Sequence, residues 1–132
     1  MSTLERLPAV VATYFEAVNQ RDWEAMATLF ADDVEFRPAG SEVRRGRDDV
    51  LAYYPALLAG FDEHHDRVAR VHVDGAVVVV EIAFEGTTST GAPVAFEAVD
   101  VFDLDPEGRI ARLSLWYDTR AVGRQVRAGA KP

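Results

Sequence analysis

An α+β fold is predicted for this chain by three observations. Apolar residues recur at three- and four-residue steps near the N-terminus, they alternate with polar ones in the second half, and hairpin-type turn signals separate the alternating runs. Helices therefore come first and antiparallel strands follow, which is the α+β order. The chain reads as one domain over residues 1–119 followed by a basic tail at 120–132, and it shows no internal repeat. The tail carries Arg120, Arg124, Arg127 and Lys131 and is expected to be solvated, or to dock on the acidic body or a partner subunit.

The first helix is marked by Leu7, Val10, Val11, Tyr14, Phe15 and Val18 on one face, with Pro8 expected in its first turn, where a missing N–H costs little. Asp22 is the expected N-cap of a second helix whose apolar face is Trp23, Met26, Ala27 and Phe30, ended by Asp32 and Asp33. Val34 to Arg37 alternates as a short strand stopped by Pro38 and Gly40, and Ser41 to Arg47 is a polar loop. A third helical segment starts near Asp48 and runs through Val50, Leu51 and Tyr54, where Pro55 should end or kink it. Residues 66–73 alternate, Asp74-Gly75 signals a two-residue hairpin, and 76–84 is rich in Val and Ile. After a Gly- and Thr-rich loop, Val94 to Leu104 and Ile110 to Tyr117 complete the strands, joined by a turn at Asp105 to Gly108.

Composition excludes much of chemistry. The 132 residues hold 14 Lys and Arg against 22 Asp and Glu, a net charge of −8, and no cysteine. Area scaling gives a folded surface of roughly 7,000 Å² against roughly 21,000 Å² unfolded, enough burial for a core without staples. Without cysteine there is no disulfide framework, thiolate nucleophile or Cys-based metal site. The acidic balance opposes nonspecific binding to nucleic acid or anionic membrane, since phosphate affinity comes mainly from Lys and Arg. Glu5 and Arg6 interrupt any secretory apolar run, and the longest apolar run, Ala76 to Val80, is far short of a membrane span, so a cytoplasmic location is expected. His64 and His65 point to opposite faces of a strand and His72 follows at no metal spacing, so no metal or other cofactor is expected. No G-x-S-x-G, P-loop or dinucleotide glycine pattern is present.

The strand from Val94 to Leu104 carries the clearest chemical signal. Its even positions are Val94, Phe96, Ala98, Asp100, Phe102 and Leu104, so one carboxylate stands on an apolar face. Desolvation disfavours the charged form, and a carboxyl kept neutral can donate a hydrogen bond; the plainer alternative is an Asp paired with Arg or capping a loop. Tyr14 poses the same conflict on the buried stripe of the first helix, although a core tyrosine commonly just finds one partner for its hydroxyl. Trp116 shares a strand face with Ile110, Arg112 and Ser114, either as a core aromatic or as the wall of a pocket for a flat apolar ligand; Phe36, Phe84 and Phe102 are further candidate walls. Tyr53 and Tyr54 are adjacent on a helix and cannot both face inward.

Ala9-Val10-Val11-x-x-Tyr14, Leu29-Phe30-Ala31-Asp32-Asp33, Pro38-x-Gly40-Ser41-Glu42, Tyr54, Val99-Asp100-x-Phe102 and Leu115-Trp116 occur in the order found in one family. In these the chain resembles the ketosteroid isomerases of the nuclear-transport-factor-2-like superfamily. The resemblance implies a cone of three N-terminal helices packed on a strongly curved, mostly antiparallel sheet around an apolar pocket, and a homodimer. It implies that Tyr14 and a protonated Asp100 hydrogen-bond the oxygen of a dienolate, an established example of an acid kept neutral at pH 7. Tyr54 resembles the tyrosine supporting that donor, and Trp116 an aromatic packed on substrate.

One departure is severe, because the family's general base is an aspartate immediately before the proline matched by Pro38, and here Arg37 stands there. The chain is also one residue shorter between Asp33 and Pro38, so the base is either replaced or deleted; alternation of Val34 and Phe36 against Glu35 and Arg37 favours deletion. A positioned base contributes about 10² to 10⁴ in rate, so efficient double-bond migration is in doubt, whereas an oxyanion hole survives. The expected function is polarisation of a ketone or enolate oxygen in a small apolar, steroid- or polyketide-like molecule, by isomerisation, cyclisation or epoxide opening. A non-catalytic module that binds a hydrophobic carbonyl ligand is the principal alternative, and a pure assembly domain the weaker one. Glu35 or Glu97 would act as base only if the strand phases are inverted, and Arg37, if inside, would favour an anionic substrate or pair with Asp100, a pairing that would ionise Asp100 and abolish its donor role.

Overall fold

The computed structural model describes residues 7–129; Glu5, Arg6 and Lys131 lie outside them. Helix α1 (Ala9–Gln20) starts directly after Pro8, which is its N-cap residue and not part of its first turn. It ends at Arg21, a left-handed residue whose guanidinium donates to the Phe61 carbonyl at 2.7 Å. Asp22 caps α2 (Trp23–Ala27) by accepting from the Ala25 N–H at 3.1 Å, as the sequence predicts.

The second helix is shorter than its apolar spacing suggests. Phe30 opens strand β1 (Phe30–Pro38), and Asp32 and Asp33 lie within that strand. The deciding contact is distant in sequence: Phe30 pairs with Ile110, whose N–H donates to the Leu29 carbonyl at 2.9 Å. A ladder with a partner some 80 positions on overrides local helical period, as tertiary context commonly does.

Part of the predicted polar loop forms a two-residue strand β2 (Arg44–Arg45) paired with β1. Helix α3 (Arg47–Leu58) then runs through Pro55 to Leu58. Proline removes one backbone donor, but Val50, Tyr54 and Leu58 are buried at four-residue steps on both sides of it. Their burial, worth about 1.5–3 kcal/mol per large side chain, offsets the lost bond.

The remaining strands are β3 (Phe61–Asp74), β4 (Val77–Thr88), β5 (Pro93–Leu104) and β6 (Ile110–Trp116), with β3 and β4 both extending past their predicted ends. The β3–β4 loop is Gly75-Ala76, one position later than the Asp74-Gly75 signal; Gly75 takes φ +59°, as the first central position of a type II′ turn demands. The sheet order is β2-β1-β6-β5-β4-β3, with β1 and β6 parallel and every other pair antiparallel. Register shifts in β3, between Phe61 and Glu63 and between Val68 and Arg70, bend the sheet around the helices.

The segment from Arg120 is not a solvated tail over its described part. It forms helix α4 (Thr119–Gly129), and the Gln125 amide accepts from the Ala95 N–H at 2.7 Å and donates to the Ala95 carbonyl at 2.9 Å. Pairing of β5 with β6 begins only at Val99, so this side chain satisfies backbone groups that would otherwise form a free strand edge. Among the described residues no helix is long and apolar enough to cross a membrane.

Candidate functional site

Two helices and four strands converge on one cavity. Burial of Val11, Tyr14, Phe15 and Val18 orients α1 so that Tyr14 points inward, and the same logic in α3 turns Tyr54 inward at the expense of Tyr53. Tyr53 is only partly buried, beneath the guanidinium of Arg44, which stands 5.1 Å from its ring centroid.

The hydroxyls of Tyr14 and Tyr54 hydrogen-bond each other. Two hydroxyls sharing one bond leave one O–H free to donate elsewhere. Burial, with the neighbouring Tyr54 and Asp100, holds the Tyr14 phenol well above its ordinary value, and burial does the same to Tyr54, so both remain neutral donors. Aromatic neighbours fix the pair: Phe102 meets Tyr14 edge-on at 5.1 Å, and Trp23 stacks on Tyr54 at 6.2 Å.

Alternation along β5 places Asp100 inward, and it is 3% exposed. Its carboxyl faces the same cavity and has no hydrogen bond or ion pair among the described residues. Burial first, and the charge of Asp66 second, push its pKa well above the usual carboxylate range. The shift favours the protonated carboxyl, the form that can donate a hydrogen bond to an oxygen that enters.

Arg37 does not reach this place. It is on the outer face of β1, 40% exposed, with its guanidinium 3.4 Å from Glu35, whose carboxylate also meets Arg45 at 2.7 Å and Arg112 at 3.4 Å. These arginines hold the Glu35 carboxyl below its ordinary value. Val34 and Phe36 are the inward pair of β1, so no residue of this strand offers a base to the cavity.

The aromatic candidates separate into three places. Phe84 lines the cavity, while Phe36 and Phe102 are fully buried behind Tyr54 and Tyr14 and are not part of its wall. Trp116 is 52% exposed on the outer face of the sheet beside Glu97, away from the tyrosines, because Leu113 and Leu115 take the inner positions of β6. The face assignment of Trp116 follows its alternation; the inner wall is supplied by Ile82, Phe84, Phe96, Leu115 and Tyr117.

Sequence reasoning missed Asp66, which lines the cavity from β3. Burial pushes its pKa up to about 7. A signal was present: Asp66 and Val68 share one phase of the strand and Val71 the other, which a single unbroken strand cannot reconcile. The register shift between Val68 and Arg70 is what puts both sets inside.

The cavity is small, about 80 Å³, against roughly 300–1,000 Å³ for pockets holding drug-sized ligands. Leu57, 44% exposed, stands at its rim. A larger surface groove of about 600 Å³ runs over Glu63, His65 and Glu85 near α4. His64 beside it is already bonded to the Val18 carbonyl at 2.8 Å, and among the described residues no group of three His, Asp or Glu is placed to hold a metal.

The model of the SnoaL-like domain family matches residues 11–113. A proposed polyketide cyclase from Xanthomonas campestris pv. campestris superposes with a TM-score of 0.84 at 24% identity, covering 95% of this chain and 99% of that one. A hypothetical protein with a ketosteroid isomerase-like fold from Catenulispora acidiphila, in complex with trimethylamine, gives 0.81 at 21% identity over 91% and 93%. An LEH-like epoxide hydrolase from M. tuberculosis gives 0.76 at 21% identity over 92% and 89%. At these identities the likeness establishes the nuclear-transport-factor-2-like cone that the residues suggested, and no single chemistry.

Proposed function

The chain belongs to the SnoaL-like domain family, and from that premise we propose that it polarises the carbonyl or enolate oxygen of a small apolar molecule, without a cofactor, through Tyr14 and Asp100. The observation that carries this reading is one cavity holding a paired tyrosine hydroxyl and an unpartnered, neutral carboxyl amid apolar walls. Donors fixed in a water-poor site favour charge that develops on an oxygen and need no reorganisation when it does, each worth about 10² to 10³ in rate. Tyr54 positions the Tyr14 hydroxyl by occupying its second hydrogen-bonding direction.

Size narrows the substrate class. An apolar cavity of roughly 150 Å³ accepts benzene, so about 80 Å³ suits a single small ring only after a slight outward movement at Leu57, and a four-ring skeleton requires much more. Leu57→Ala is expected to raise affinity for 2-naphthol by about tenfold relative to phenol, at the low end of what a change of methylene size does to pocket discrimination. An unchanged ratio by calorimetric titration would place the entrance elsewhere.

Phenol, which presents one oxygen on a single ring, tests the donors directly. Saturable binding is expected, weakened about three- to tenfold in Tyr14→Phe and in Asp100→Leu, since a hydrogen bond between neutral groups is worth about 0.5–1.5 kcal/mol. Equal affinity in both variants would remove the assignment. A binding module without turnover is the second reading, favoured by the outward direction of Arg37 and Glu35, which leaves β1 without a base. Binding of a small cyclic ketone with no proton exchange at its α-carbon would decide for it.

A further inference from the structure

We infer that Asp66 is the general base of this cavity, removing a proton from the carbon beside a carbonyl whose oxygen Tyr14 and Asp100 hold. The inference rests on the polarising role proposed above and adds the group that β1 does not supply. Its first support is position, because Asp66 faces inward from β3 and shares the cavity with Tyr14, Tyr54 and Asp100. It also borders a neighbouring surface groove lined by Phe15, Glu16, Asn19 and Arg67, so a proton taken in the cavity has a way to water.

The second support is how the residue is held. The Asn19 amide donates to the Asp66 carbonyl at 3.0 Å and accepts from the Asp66 N–H at 2.8 Å. Helix α1 thus carries the oxyanion donor Tyr14 and, five positions later, the side chain that clamps the backbone of the base. The two groups are fixed relative to each other by one rigid element, as proton transfer across a bound substrate requires.

The third support is what does not touch the carboxylate. Glu35, on the outer face, is occupied by three arginines, and a carboxylate so neutralised is a poor base. The Asp66 carboxylate has no hydrogen bond or ion pair among the described residues. Facing it are Tyr14 and Glu16 from α1, Tyr54 from α3 and Asp100 from β5, while its cross-strand partner on β4 is Phe84. Its strand neighbours His65 and Arg67 sit on the opposite phase and line surface grooves, not the cavity. Burial sets its pKa near 7, where a base is both substantially ionised and strong enough to be useful, and burial pushes Asp100 well above the usual carboxylate range. Two carboxyls in one cavity are thereby separated into a base and a donor.

The step balances within the substrate and this side chain. An α C–H bond breaks, its proton forms an O–H bond on Asp66, and the electron pair moves into the new C=C bond, leaving the charge on the oxygen held by Tyr14 and Asp100. Return of the proton to the γ-carbon yields the conjugated ketone and regenerates the carboxylate.

The test uses 3-cyclohexen-1-one in D₂O, following deuterium uptake by proton NMR and formation of the conjugated isomer by ultraviolet absorbance. Asp66→Asn is expected to lower both rates by about 10² to 10⁴ while phenol affinity stays the same or tightens. In the unmodified protein kcat/KM should rise with pH through about 7, and this rise should vanish in Asp66→Asn. Asp66→Glu, which keeps the carboxylate on a longer arm, should retain exchange with a displaced midpoint, and it serves if Asp66→Asn does not fold. Undiminished exchange in Asp66→Asn, or phenol binding without any exchange in the unmodified protein, overturns Asp66 as base and leaves the polarising role standing. Failure of phenol to bind at all removes that role and this inference with it.

Discussion

Tyr14→Phe should reduce turnover of a small enolisable ketone by about 10² to 10³, the usual cost of one oxyanion donor. Its effect on stability separates this cause from general damage. The substitution leaves the buried Tyr54 hydroxyl without its partner, at a cost of about 1–3 kcal/mol. Removing both hydroxyls, in Tyr14→Phe with Tyr54→Phe, replaces a polar pair by two apolar rings of the same shape and should restore most of that stability. Activity should not return with it. If the double variant recovers both, the Tyr14 hydroxyl serves the fold and not the oxygen of a ligand.

Asp100→Leu should abolish a second donor, with a similar loss of rate, and should also change how stability depends on pH. The sign follows from the raised pKa. Asp100 ionises near 3.9 in the unfolded chain but well above that when folded, so its contribution to stability is complete below about pH 4 and declines as pH rises through the folded value. Each such group can remove up to about 1.4 kcal/mol per pH unit in that window. Asp66 adds its own decline, which ends near pH 7. Urea melts at pH 4, 6 and 8 should show a steep loss in the unmodified protein and a shallower one in Asp100→Leu, which should be the more stable of the two at pH 8. Parallel curves would mean that Asp100 is ionised in the folded protein and cannot act as a neutral donor.

These two variants address residues whose direction was legible before any coordinates. Period-two alternation along β5 put Asp100 inside, and the helical stripe of α1 put Tyr14 inside, because a one-residue error in either would expose every apolar neighbour. The outward turn of Glu35 and Arg37 followed from Val34 and Phe36 in the same way. What could not be read locally was decided by contacts distant in sequence. The end of α2 depends on Ile110 joining Leu29 and Phe30, and the persistence of α3 past Pro55 depends on what Leu58 buries. The basic segment after Arg120 is helical where Gln125 finds the uncovered backbone of Ala95, a partner that no periodicity reveals.

Asp66 shows the most consequential limit. Strand reasoning assumes unbroken alternation, and a bulge in β3 violates it by one residue, moving the inward phase from Asp66 and Val68 to Val71. The carboxylates that face the cavity therefore stand on β3 and β5, and none on β1 before Pro38. Trp116 errs differently: its phase was correct, but which face encloses the cavity depends on the direction in which the sheet bends.

A crystal structure with bound phenol tests the central claim most directly. The phenol oxygen is expected within about 2.5–3.0 Å of both the Tyr14 hydroxyl and the Asp100 carboxyl, the range of O–H···O hydrogen bonds. A phenol seated in the cavity with its oxygen turned away from both, or bound only in the groove over Glu63 and His65, would contradict it.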